Sequence, residues 1–136
     1  MTAMTSDPSN ERSRLQALLA SYDLRDGHKP DQAFAMRDFD HIGPGWYGLL
    51  KGLIEDLIRL GWDRRVLQTK EKYGSLRFYI TQREDAFRER IEAAMDESYK
   101  VCEDCGGDGT WLNDNGWMST LCDTCRARLS AERGRG

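Results

Sequence analysis

Four cysteines near the C-terminus constrain the fold of this chain more than any other feature. They occur as two C-x-x-C pairs, Cys102 with Cys105 and Cys122 with Cys125, within the stretch CEDCGGDGTWLNDNGWMSTLCDTC. Two such pairs supply the four thiolates of a tetrahedral structural zinc site. Their confinement to one short stretch favours a metal site over two disulfides or a redox dithiol. We therefore expect one structural Zn²⁺ bound by these cysteines.

The residues between the two pairs predict the shape of the chain around the metal. The first pair is followed by two glycines, which allow a tight knuckle. Asn115-Gly116 is the preferred turn of a type I′ hairpin and would join strands near residues 110–114 and 117–121. The second pair then opens a helical pattern. A knuckle, a hairpin and a helix describe a treble clef, and a zinc ribbon with both pairs on knuckles is the alternative.

Two enzyme classes share the C-x-x-C pattern, and the sequence lacks their signatures. A zinc deaminase needs H-x-E upstream and a proline before its cysteine pair. Here Leu121 precedes Cys122, and neither His28 nor His41 is followed by x-Glu. An HNH nuclease would place histidines between the cysteine pairs, where this sequence has none. Both enzyme classes are therefore disfavoured.

A second group, Asp38, Asp40 and His41, has residue types that could bind a metal or support catalysis. Three such residues in a loop more often serve turn chemistry. Four cysteine ligands would leave the zinc with no open position for water or substrate. We therefore predict a non-enzymatic protein without a small-molecule substrate.

Hydrophobic periodicity upstream of the cysteines predicts an α+β fold, with helices packed on a small antiparallel hairpin or sheet. Asn10 is a plausible cap of the first helix, and Thr81 and Glu84 have the spacing of a capping box. The predicted elements are a helix over 11–24, a loop over 25–43, a helix over 44–60, a hairpin over 65–81 and a helix over 83–98. In the loop, four apolar residues should pin the chain to the core: Phe34, Met36, Phe39 and Ile42.

The hairpin, which contains KEKYGSLRFYI, should have one apolar and one basic face. A two-residue turn, Tyr73-Gly74 or Gly74-Ser75, gives the same alternation in either position. The face expected to meet the core comprises Leu67, Thr69, Glu71, Tyr73, Leu76, Phe78 and Ile80. The opposite face comprises Val66, Gln68, Lys70, Lys72, Arg77, Tyr79 and Thr81.

A possible binding face lies on the basic side of this hairpin. Its cations suit phosphate contacts, and its tyrosine suits base stacking. The alternative interpretation is that this face is a solvated sheet surface or contacts another protein. The residues of this face are Arg64, Arg65, Lys70, Lys72, Arg77 and Tyr79.

The composition is that of a soluble globular protein, with 136 residues, 32% of them charged and 39% hydrophobic. A net charge of -3 argues against a surface built throughout for nucleic acid. We see no signal-peptide pattern and no stretch of the roughly 20 apolar residues that a bilayer span needs. We expect a cytoplasmic protein without membrane association, with flexible tails at 1–10 and 132–136. Between them we expect an α+β core over 11–98 and a zinc-finger subdomain over 99–131, called the finger below.

Three parts of the sequence resemble a family of short, uncharacterised proteins encoded by tailed phages, prophages and some bacterial chromosomes. They are Gly45-Trp46 at a helix start, the hairpin KEKYGSLRFY, and a four-cysteine finger with Gly116-Trp117 before TLC. The resemblance covers residues from about 45 to 125 and does not extend to the first 30 or so. It implies a phage or prophage context and a zinc finger, and it implies no reaction.

These observations predict a zinc-finger protein that acts by binding a macromolecule. The acidic net charge and the acidic finger favour a protein partner, so that the chain would be an adaptor or an inhibitor. The alternative is a nucleic-acid-binding protein that uses the basic face of the hairpin.

Overall fold

The computed structural model describes residues 8–39 and 41–134. Over these residues the chain is α+β, as predicted, with four α-helices and two small β-sheets. The helices are α1 (Pro8–Tyr22), α2 (Tyr47–Arg59), α3 (Asp85–Ser98) and α4 (Asp123–Gly134). The strands are β1 (Arg25–Asp26), β2 (Arg65–Lys72), β3 (Ser75–Ile80), β4 (Thr110–Asp114) and β5 (Trp117–Leu121).

The larger sheet has the order β1-β2-β3, with β1 parallel to β2 and β3 antiparallel to it. The turn between β2 and β3 is Tyr73-Gly74, and both residues have positive φ, 55° and 81°. This pair of angles identifies a type I′ turn, which matches the right-handed twist of a hairpin. The turn places Lys70 opposite Arg77, as one of the two predicted registers requires.

A β-bulge in β2 corrects the predicted faces of the hairpin. The register shifts between Val66 and Gln68, so that Leu67 is the extra residue and Val66 lies opposite Ile80. Val66 is fully buried, whereas Leu67 is half-buried. The prediction that Val66 shares the basic face was therefore wrong, because one inserted residue reverses the alternation on one side of the bulge.

One hydrophobic cluster joins α1, α2, α3 and the larger sheet. The amphipathic α2 is central to it and packs against both α1 and α3, while α3 lies along β3. The four apolar residues of the 25–43 segment are buried, as predicted. The largest fully buried side chains of the cluster include Leu50, Leu53, Ile54, Leu57, Phe39 and Trp46.

Several predicted element ends differ from the structure. Helix α1 begins at Pro8, so Asn10 lies inside the helix and not at its cap. The capping box is absent: Glu84 precedes α3 without a side-chain cap, and the Thr81 hydroxyl donates to Asp63 Oδ2 at 3.3 Å. The 25–43 segment contains β1 and a 3₁₀ turn over Met36–Phe39.

The predicted tails are in part helical. Residues 8–10 belong to α1 and residues 132–134 to α4, whereas residues 1–7 and 135–136 lie outside the described residues. The division into a core over 11–98 and a finger over 99–131 stays a prediction. A second, smaller hydrophobic cluster does lie within the finger, formed by Cys102, Leu121 and Cys125.

Candidate metal centre

The four cysteine sulfurs converge on one point. All four Sγ atoms lie within 4.8 Å of one another, and Cys105 Sγ is 3.8 Å from Cys122 Sγ. Tetrahedral coordination with metal–sulfur bonds of about 2.3 Å places sulfurs about 3.8 Å apart. The four thiols are free, so these described cysteines form no disulfide. The separations therefore fit one tetrahedral metal ion, and the cluster could hold one.

Backbone amides around the sulfurs also suit thiolate ligands. Within each pair the later residue donates to the earlier sulfur: Cys105 N to Cys102 Sγ at 3.5 Å, and Cys125 N to Cys122 Sγ at 3.3 Å. Gly107 N donates to Cys105 Sγ at 3.4 Å. The chain reaches this position through a positive φ of 84° at the intervening glycine. Such donors favour the charged form of sulfur.

The thiol pKa values are pushed apart within the cluster. The backbone N–H of Cys125 lowers the pKa of the Cys122 thiol to about 7. Burial raises the pKa of the Cys125 thiol well above its ordinary value. The Cys122 sulfur thus opposes ionisation of Cys125, whereas a bound divalent cation would favour every thiolate. The arrangement suits a cation at its centre.

The local fold follows the predicted order of elements. β4 and β5 pair antiparallel over 110–114 and 117–121, as expected. Asn115 and Gly116 form the turn, with φ of 55° and 90°. Helix α4 begins between Cys122 and Cys125. β5 ends directly before Cys122 and α4 begins directly after it, so these two elements position the second cysteine pair.

The finger contacts the tip of the β2–β3 hairpin through hydrogen bonds to its turn. Trp111 Nε1 donates to the carbonyl oxygen of Tyr73 at 2.7 Å, and Thr120 Oγ1 donates to that of Gly74 at 2.7 Å. A Cβ atom on Gly74 would lie 2.8 Å from Trp111 Nε1. Position 74 therefore requires glycine for two reasons, its positive φ and this close contact.

A second contact joins the finger to the segment before α2. Gly45 N donates to the carbonyl oxygen of Glu103 at 2.9 Å, and Trp46 Nε1 donates to that of Val101 at 2.8 Å. A Cβ atom on Gly45 would collide with the carbonyl oxygen of Cys102. The Gly-Trp of the helix start thus lies against the first cysteine knuckle.

The sequence did not predict these two contacts, because their acceptors are backbone carbonyl oxygens, which no residue type marks. Three parts of the chain that are far apart in sequence, Gly45-Trp46, the Tyr73-Gly74 turn and the finger, meet at these two contacts. Motifs far apart in sequence but adjacent in space are expected where backbone segments approach closely.

The structure brings together four of the predicted binding-face residues: Lys70, Lys72, Arg77 and Tyr79. Lys70 Nζ lies 6.0 Å from the centroid of the Tyr79 ring, and Arg77 Nε donates to Ser75 Oγ at 3.0 Å. Lys72 Nζ lies 5.4 Å from the Tyr73 ring, which is exposed at the hairpin tip. The prediction that Tyr73 meets the core was therefore wrong, because Tyr73 is a residue of the turn. The face is therefore basic, with two exposed tyrosines.

The remaining two predicted residues of this face have different surroundings. Arg64 adopts φ 68°, donates to the carbonyl oxygen of Tyr22 at 3.1 Å and lies 5.9 Å from the Tyr22 ring centroid. It thereby closes the C-terminal end of α1. Arg65 is exposed and paired with Arg25 in β1.

The second candidate group does not form a metal cluster among the described residues. Asp38 Oδ2 accepts a hydrogen bond from Ala35 N at 2.8 Å, which is turn chemistry. His41 Nε2 contacts the carbonyl oxygen of Thr69. Asp40 lies outside the described residues. Over the described part of the chain, the four cysteines form the one cluster suited to a metal.

No described helix is both long enough and apolar enough to cross a bilayer. Comparison of the chain with models of protein families, with curated proteins and with solved structures finds no match.

Proposed function

We propose that the four cysteines bind one structural Zn²⁺ and that the finger is a treble clef. The proposal is supported by the tetrahedral fit of the sulfurs and by the start of α4 within the second pair. Four protein ligands fill the coordination shell, so the ion would fold the finger and leave no position for a substrate. Four free thiols are also typical of a reducing compartment, and we propose a cytoplasmic location.

We further propose that the protein is a non-enzymatic adaptor or inhibitor that binds another protein. One observation carries this proposal: the finger presents a cavity of about 400 Å³ lined by three carboxylates and by Trp117, whose side chain is 61% exposed. Exposed tryptophans are typical anchors of protein interfaces. The carboxylates repel phosphate, so the finger favours a protein partner over a nucleic acid.

The family resemblance supports a phage or prophage setting, in which the partner would be a host factor. The test is affinity capture by the zinc-loaded protein from a lysate of its own host, with and without nuclease. We expect a protein that stays bound after nuclease treatment and that forms a complex with the chain when both are purified. Loss of all bound protein on nuclease treatment would contradict the proposal.

The second candidate function is binding of single-stranded nucleic acid by the β2–β3 hairpin. It is favoured by the cluster of Lys70, Lys72 and Arg77 beside the exposed rings of Tyr73 and Tyr79. Such a face suits phosphate contacts and base stacking.

Salt distinguishes the two functions. Binding of a labelled oligonucleotide through these cations should weaken steeply between about 50 and 200 mM salt, because released counterions drive it. The double variant Lys70→Ala, Lys72→Ala should reduce that slope, whereas a Glu89→Gln, Glu97→Gln variant, on exposed α3 positions outside the pocket that Arg77 and Tyr79 line, should not. Absence of binding at the lower salt concentration would exclude this function.

A further inference from the structure

Side chains of β5 and α4 form one wall of the acidic cavity of the finger. Trp117, Ser119 and Leu121 line it and alternate along β5, so they share one face of the strand. Leucine side chains from β5 and α4 supply its apolar part. Its volume of about 400 Å³ is sufficient for a long side chain of a partner.

Ser119 places a buried polar group in this wall. Its side chain is 4% exposed, and its hydroxyl has no hydrogen-bond partner among the described residues. A buried hydroxyl without a partner destabilises the fold, because no hydrogen bond offsets its lost hydration. A ligand that donates a hydrogen bond in this cavity would offset that loss.

The charged groups of the cavity favour a positively charged ligand. Three carboxylates line it: Glu103, Asp104 and Glu132. One cation of the chain, Arg128, contacts two of them, Asp104 and Glu132, the latter at 3.7 Å. Among the described side chains of the cavity, carboxylates thus exceed guanidinium groups, and a zinc ion with four thiolates would add further negative charge. The contacts of Arg128 also show that a guanidinium fits beside these carboxylates.

We propose that this cavity binds a cationic side chain, arginine or lysine, presented by a partner protein. The ammonium or guanidinium group lies at the carboxylates and donates to Ser119 Oγ, and the indole of Trp117 packs on the cation. The apolar stem lies against the leucines. This inference rests on the proposed protein-binding function and names the chemistry that the partner must supply.

The experiment is an NMR titration of the zinc-loaded full chain, observed at the Trp117 indole N–H and the Ser119 backbone amide. The probes are N-acetyl-arginine amide, N-acetyl-lysine amide and, as the neutral isostere of arginine, N-acetyl-citrulline amide. We expect saturable shifts with at least one cation and none with citrulline. Equal shifts with citrulline, or no saturable shift with either cation, would overturn the proposal.

Two variants locate the binding. Trp117→Ala and Glu132→Gln change exposed positions and should leave the zinc content and the circular dichroism spectrum unchanged. We expect each to weaken cation binding, by about fivefold or more for Trp117→Ala. The matched control Glu89→Gln, on exposed α3, should bind as the unaltered chain does. Unchanged affinity in both cavity variants would place the cation elsewhere and overturn the proposal.

A parallel capture experiment separates this inference from the proposed function. If both cavity variants still capture the same nuclease-resistant partner, the cavity proposal fails while protein binding stands. If the cation titration saturates in the cavity but no partner protein is captured, the cavity chemistry stands and the adaptor function fails.

Discussion

At the scale of single residues, Gly74 connects the β2–β3 hairpin to the finger. It has φ 81°, its N–H donates to Glu71 Oε2 at 2.7 Å, and its carbonyl oxygen accepts from Thr120. An added Cβ would contact the Trp111 indole. The sequence predicted a turn here, but it gave no sign that the turn's carbonyl groups receive two side chains of the finger.

We predict that Gly74→Ala destabilises the protein by roughly 3 kcal/mol or more, from left-handed strain and displacement of Trp111. Gly61→Ala is the matched control, because Gly61 has φ 92° and an added Cβ would meet no described atom within 4 Å. That control should cost only the strain, roughly 1–2 kcal/mol. Denaturant unfolding of both variants measures the difference, and equal costs would contradict the contact between Gly74 and the finger.

At the scale of elements, α2 and α3 are linked by an ion pair that titrates. Arg90 Nε donates to Asp56 Oδ2 at 2.7 Å, and this bond, together with the contact from Arg59, holds the pKa of Asp56 below its ordinary value. A carboxylate with a lowered folded-state pKa stabilises the fold above its unfolded pKa of about 3.9. That contribution is lost as pH falls through the folded pKa.

Asp56→Asn should therefore lower the free energy of unfolding at neutral pH, by about 1 kcal/mol or less because the pair is partly exposed. The difference from the unaltered protein should shrink as pH is lowered from about 5 towards 3. Asp85→Asn is the control, since Asp85 pairs with Arg88 within α3 at an exposed position. Urea unfolding across this pH range tests it, and a difference that grows on acidification would contradict the assignment.

The elements themselves were predictable where pattern and turn chemistry agree. Asn115-Gly116 located β4 and β5 correctly, and the apolar period of α2 located the main helix. The bulge at Leu67 was not predictable, because alternating residues on both sides of it fit an unbroken strand equally well. The two-residue strand β1 was not predictable from the sequence either, because it depends on backbone pairing with β2.

At the scale of the molecule, the finger and the upstream core hold each other through backbone contacts. Gly45 N bonds the carbonyl oxygen of Glu103, and the carboxylate of Glu103 accepts from Thr120 N at 3.0 Å. Burial raises the pKa of that carboxyl group. Residue type and spacing predicted that the four cysteines converge. They could not predict these contacts, because backbone groups are the same at every residue type.

We predict that Cys122→Ser loosens more than the finger. A metal ion bound by the four cysteines would close the small finger cluster, so its loss should also release the Gly45 amide and the hairpin tip, while the centre of α2 stays protected. Hydrogen exchange measured by mass spectrometry reports each segment. Thr124→Ser, at an exposed position within the same pair, is the control and should exchange as the unaltered chain does. Faster exchange confined to the finger would contradict the coupling between the two parts.

The central claim is that four cysteines hold one structural zinc ion, and metal content tests it most directly. The protein is purified under reducing conditions without added metal and studied by native mass spectrometry and elemental analysis. We expect about one zinc per chain, lost together with the fold of the finger when a strong chelator is added. A folded, metal-free chain with two intact disulfides would contradict the account.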